Sequence, residues 1–83
     1  MTPRELSKEI GRVTKLVAEI EAEIAEDERE LKELENQLAN LSPTADFYTL
    51  TREHQRLKED LEGRLGAWQE QSERLDKLVE MQG

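Results

Sequence analysis

NQLANLSPTADFYTLTREHQ, residues 36 to 55, is the stretch whose reading decides the fold. Helix-forming sequence runs into it and away from it, and Pro43 stands in the middle. The chain either passes through as one long rod or reverses and lies back on itself. Proline disfavours the helical region for Ser42 and removes a backbone donor, so a first helix should stop close to Asn40–Ser42. Ser42, Thr44, Asp46, Thr49 and Thr51 are all competent N-caps for a second helix.

The flanks decide between rod and reversal. From Leu6 onward the apolar residues Ile10, Val13, Val17, Ile20, Ile24, Leu31, Leu34, Leu38 and Leu41 follow in alternating steps of four and three, with Asp27 in the one missing place. That is a heptad seam, with Ile10, Val17, Ile24, Leu31 and Leu38 at its a positions. After the turn Phe47, Leu50, His54, Leu57, Leu61, Arg64, Trp68, Gln71, Leu75, Leu78 and Gln82 keep the same rhythm. Residues that face each other in an antiparallel pair have numbers with a constant sum. Leu38 with Leu50, Leu31 with Leu57, Ile20 with Trp68 and Ile10 with Leu78 all add to 88. Every a position meets a d position. A straight rod has no reason to keep this symmetry about its midpoint.

The fold class expected is therefore all-α: an antiparallel two-helix coiled-coil hairpin, open to dimerisation into a local four-helix bundle. One hairpin accounts for residues 1–83, with helix 1 over about 3–41, a turn over about 42–46 and helix 2 over about 47–81. Each helix is roughly 50 Å long at 1.5 Å per residue. Thr2, Pro3 and Glu5 mark the start as N-cap, first helical residue and capping-box acid. An alternative phase through Leu61, Leu65, Trp68, Ser72, Leu75 and Val79 introduces a stutter in helix 2. Gly63 and Gly66 make that region its softest.

Composition limits the functional classes. Charged residues are 39% of the chain and aromatics 4%, the mix of long solvated helices rather than of a compact enzyme. There is no cysteine, so no disulfide supplements a core of this size. No apolar run approaches the roughly 20 residues of a membrane span and no leader opens the chain, which makes cytoplasm the default location. The net charge of −8 is uneven: residues 1–18 carry four bases against two acids, and residues 19–35 carry nine acids against Arg29 and Lys32. Nucleic-acid contact could only run through Arg4, Lys8, Arg12 and Lys15, and the overall acidity disfavours it. The acidic run reads more simply as a solvated face.

Several residues invite a functional reading beside a structural one. Asp27 and Arg64 occupy neighbouring seam layers, and a pair between them would fix the register of the two helices. Glu28 and Lys58 face each other across the flank as a weak surface pair. His54 opposite Leu34 has no second ligand at metal spacing and fills an imperfect layer. Trp68 either plugs the core beside Ile20, in space left by Gly66 and Ala67, or anchors a partner at a partly exposed edge. Phe47 should cap the seam against Leu41. Tyr48, out of register beside Asp46 at the tip, is the best candidate for an outside contact. Leu16, Leu65, Val79 and Met81 flank the seam in the half away from the tip, where a two-helix hairpin has nothing to cover them. The open end should therefore pair with a second hairpin or dock on another protein. No nucleophile, base and orienting group come together in a recognisable order. The chain is expected to be no enzyme, and to need no cofactor and no metal.

LVAEIEAEIAEDERELKELENQLA (16–39), the turn SPTADFY (42–48) and LEGRLGAWQEQSERL (61–75) together resemble the C-terminal coiled-coil domain that follows the second cassette of ABC-F ATPases. The resemblance covers nearly the whole chain. It implies a non-catalytic accessory arm of a cytoplasmic ATPase acting at the ribosome or on nucleic acid, although this chain is more acidic than a DNA-binding arm should be. The cassette motifs for ATP hydrolysis are absent. Transcript-cleavage factors also have similar hairpins, but their mechanism needs two tip carboxylates and this tip holds Asp46 alone. Two function classes remain open: a protein-docking spacer, and a nucleic-acid-associated arm working through the basic N-terminal patch. A stand-alone structural or designed coiled coil is a third.

Overall fold

Two helices account for the chain in the computed structural model, which describes residues 1–83: α1, Pro3–Ala39, and α2, Phe47–Gln82. They lie along each other in a rod of 63 × 14 × 14 Å. The fold is an all-α helical hairpin. A single unbroken helix of this length would reach about 120 Å at 1.5 Å per residue.

Each boundary has a local cause. Thr2 has extended backbone and its Oγ1 accepts from the Glu5 N–H at 3.2 Å, while Pro3 takes the first helical position. At the far end α1 stops at Ala39 rather than near 41. The Asn40 N–H and side-chain Nδ2 both donate to the Asn36 carbonyl at 3.1 Å, and the backbone at Asn40 leaves the helical region. Pro43 forbids any continuation, because Ser42 before it is pushed to extended geometry. A short turn closes with the Ala45 N–H donating to the Ser42 carbonyl at 3.1 Å. Of the five possible caps, Asp46 is used. Its carboxylate accepts from the Thr49 N–H at 3.1 Å and from Thr49 Oγ1 at 2.6 Å. α2 then runs to Gln82, one residue past its expected end.

The core between the helices is divided in two. Leu6, Val13 and Leu78, with Ile10, Val17 and Leu75 packed on them, fill the end that holds the chain termini. Leu31, Leu34 and Leu57, with Leu50 and Leu61, fill the half nearer the turn. Both groups contain layers that add to 88, Ile10 with Leu78 and Leu31 with Leu57. Each buried leucine is worth about 1.5–3 kcal/mol relative to an exposed one. Between the groups lie Ile20, which is buried, and the polar pair Asp27 and Arg64 from adjacent layers.

The outermost layer does not form. Leu41 and Phe47 were the expected cap over the seam, yet both are exposed, Phe47 at 60%. Leu41 lies beyond the end of α1, so its side chain no longer follows the seam. Phe47, at the first turn of α2, is left without a partner across from it.

Candidate functional site

Heptad geometry gives the hairpin two long edges flanking the seam, one bearing the e positions of both helices and the other the g positions. Sequence places Thr14, Glu21, Glu28 and Glu35 of α1 with Lys58, Leu65, Ser72 and Val79 of α2 on the e edge. Glu9, Leu16, Glu23 and Glu30 share the g edge with Asp60, Ala67, Arg74 and Met81.

The g edge is bridged by arginines. Arg64 Nη1 donates to the Asp27 carboxylate and its Nε to Glu23 at 3.0 Å, so one side chain on α2 holds two on α1. Asp27 is only 6% exposed. A buried carboxylate is tolerated when it is paired and hydrogen-bonded, and Arg64 supplies both. The bonds to Asp27 and then Glu23 raise the Arg64 pKa above its ordinary value. Further along, Glu9 accepts from Arg12 on its own helix and from Arg74 of α2 at 2.8 Å. The Arg12 hydrogen bond, helped by the charges of Arg12 and Arg74, holds the Glu9 carboxyl below the usual range. On the turn side of the Arg64 pairs the edge forms a polar groove lined by Glu23, Glu26, Glu30, Arg56, Asp60 and Arg64.

The e edge is different in kind. Ile24, Ala25, Leu65 and Trp68 floor a shallow groove whose rim is Glu21 and Glu28. Leu65 is 44% exposed and Trp68 37%. Trp68 therefore does not plug the core. Gly63 and Gly66 fall on the outer face of α2, where an added Cβ would meet nothing within 4 Å. They leave no hole in the core for an indole to fill, and the ring lies at the edge beside Leu65. Glu28 and Lys58 form no ion pair, although they share this edge. The one polar bridge here is near the turn, where His54 Nε2 lies 3.3 Å from Glu35 Oε1.

The four flanking apolar residues thus separate. Leu65 and Val79 lie on the e edge and are exposed; Leu16 and Met81 belong to the g edge, Leu16 half-buried and Met81 exposed. At the tip Tyr48 is 71% exposed, with the Arg52 guanidinium 5.7 Å above its ring in a cation–π contact. Asp46 is committed to capping α2, and its bonds from the Thr49 hydroxyl and N–H hold its carboxyl below the ordinary value. Of the basic N-terminal residues, Arg12 is engaged by Glu9, while Arg4, Lys8 and Lys15 make no ion pair. No three His, Asp or Glu side chains converge on one point as metal ligands would. No helix is long and apolar enough to cross a membrane.

One feature escaped the pattern of the sequence. Gln71 Oε1 is enclosed at the seam with no hydrogen-bond partner. Its heptad position was the available signal, since a d-position amide opposite Val17 has no polar group across from it.

Comparison with known protein families, with characterised proteins and with solved structures returns no match to this chain.

Proposed function

We propose that this chain is a non-catalytic, cytoplasmic coiled-coil spacer that docks a protein partner along its e edge, in the manner of the accessory arm of an ABC-F ATPase. The observation that carries this reading is the exposure of Leu65, Trp68 and Val79 on one edge of a rod whose seam aliphatics from Leu6 to Leu38 and from Leu50 to Leu78 are buried or half-buried. Contiguous exposed apolar surface marks interaction sites, and a tryptophan among aliphatic neighbours is the usual form of an anchor. The arginine-bridged g edge supports the same reading, because its ion pairs lock the two helices into the rigid body a spacer requires.

A second reading has one observation in its favour. Arg4, Lys8 and Lys15 recur at helical spacing on the outer face of α1 without an acidic partner, as a short phosphate-contacting stripe would.

A photo-reactive amino acid at Leu65, with one at Glu19 on the outer face as control, tests the proposal in the cell that makes the chain. Docking at the e edge predicts crosslinks to protein from Leu65 and none from Glu19. RNA or DNA captured from the Arg4–Lys15 face, with affinity at about 50 mM salt that collapses as salt rises, would replace this reading with the second.

A further inference from the structure

The e-edge groove carries information about what occupies it. Its floor is apolar, from Ile24, Ala25, Leu65 and Trp68, and its rim is two carboxylates, Glu21 and Glu28. Neither makes an ion pair or hydrogen bond with any base of the chain, whereas Glu9, Glu23 and Asp27 on the opposite side are all held by arginines. The groove is thus apolar below, negative above and unanswered from within.

Its spacing specifies the shape of the partner. The e positions Leu65, Ser72 and Val79 recur every seven residues along α2, with Trp68 beside Leu65, while Leu61 and Leu75 turn inward onto the core. A stripe of that period is matched by the knobs of another helix. It extends about 21 Å at 1.5 Å per residue, room for several turns.

We infer that this groove binds an amphipathic helix of a partner protein, with a narrow apolar seam flanked by lysine and arginine. The seam packs on Leu65, Trp68 and Ile24, and the flanking cations neutralise Glu21 and Glu28. A second copy of this chain fits less well. An isologous contact brings a patch against itself, so the Glu21 and Glu28 carboxylates of both copies would crowd into one interface between chains that each carry −8. The inference rests on the reading of the chain as a protein-docking module and adds the chemistry of the partner.

Trp68 is the only tryptophan, so its emission reports this groove and nothing else. The probe is a synthetic helical peptide of about 21 residues, six turns, with a leucine seam and lysine flanks. The same seam with glutamate flanks is its control. The lysine peptide is expected to produce a saturable blue shift, with affinity at least about tenfold above the glutamate peptide. Leu65→Asp abolishes the shift. Glu21→Gln with Glu28→Gln weakens binding about tenfold, and Glu19→Gln with Glu33→Gln, the same charge change on the outer face, leaves it unaltered. Circular dichroism checks that each variant keeps its helices, which the exposure of these positions favours. No shift, equal affinity for the two peptides, or equal loss from the outer-face pair overturns the inference. A blue shift that grows with protein concentration alone, together with a dimer in sedimentation, also overturns it and assigns the groove to a second copy. If the peptide fails while Leu65 still crosslinks to a protein in cells, the helix-binding inference falls and the docking reading survives.

Discussion

The two edges of this hairpin flank one seam and are built from the same two helices, yet one is sealed and the other open. On the g edge Arg64 and Arg74 cross from α2 to carboxylates of α1. On the e edge α2 presents Leu65, Ser72 and Val79, and its one cation there, Lys58, makes no ion pair, so Glu21 and Glu28 are held by nothing. A difference of two positions in each heptad decides whether an edge stabilises the hairpin or waits for something else. The open edge contributes little to folding, so its composition calls for a different explanation.

The contrast between the edges is most sensitive at Arg64. Arg64→Leu strands Asp27, and an uncompensated buried carboxylate costs on the order of 3 kcal/mol. Urea denaturation should show the midpoint falling accordingly. Adding Asp27→Leu should recover the loss, because apolar replacement of a buried pair is often neutral or stabilising. A single variant as stable as the parent would mean that the g edge is not sealed by this pair.

Next in size is Gln71, the flaw in the seam between the edges. Leaving a buried acceptor unsatisfied costs about 1–3 kcal/mol, so Gln71→Leu should raise stability by that order. No gain would show that water reaches Oε1. Smaller again, Gly66→Ala should stabilise by up to about 1 kcal/mol, since the new methyl group meets open space and alanine favours helix. The same substitution leaves the Trp68 groove untouched and so raises stability without altering docking.

Acid should weaken the sealed edge and the turn together. The carboxyl groups of Glu9 and Asp46 both titrate below their ordinary values in the fold. Their stabilising contribution is therefore complete above that ordinary range and disappears as pH falls through the lowered values, below about pH 4. Glu9→Gln or Asp46→Asn should flatten the dependence of the thermal midpoint on pH in that window. The smallest effect belongs to the open edge: Leu65→Ser or Val79→Ser should change stability by no more than about 0.5 kcal/mol. A loss as large as that of a buried leucine would show that the e edge is core after all.

Much of this is legible in the sequence, for physical reasons. A seam of period 3.5 must be buried, and the constant sum of 88 fixes which layers meet, so the hairpin and the nearness of Asp27 to Arg64 follow from spacing. Spacing does not fix side-chain volume at a layer. Trp68 occupies an a position, but its indole lies at the edge beside Leu65, and Gly66 and Gly63 face away from the seam. Nor does spacing reveal where a seam ends. Leu41 continues the heptad on paper, but Asn40 has already ended α1, and Phe47 faces no layer. The Asp46 cap is settled only by geometry, since five residues near it have suitable side chains. Glu28 and Lys58 share an edge without an ion pair, because two exposed flexible side chains gain little from meeting in water.

The chain folds back within one molecule, and the absence of cysteine makes that directly measurable. Spin labels on Gly11→Cys and Lys77→Cys, positions whose numbers add to 88 on the outer faces of α1 and α2, report the separation of the two helices. In a sample diluted with unlabelled protein, pulsed electron resonance should give a distance on the order of 20–30 Å, two helix widths plus the labels. A distance near 100 Å, the length of the intervening residues as one continuous helix, would contradict the account. So would a short distance that vanishes on dilution with unlabelled chain.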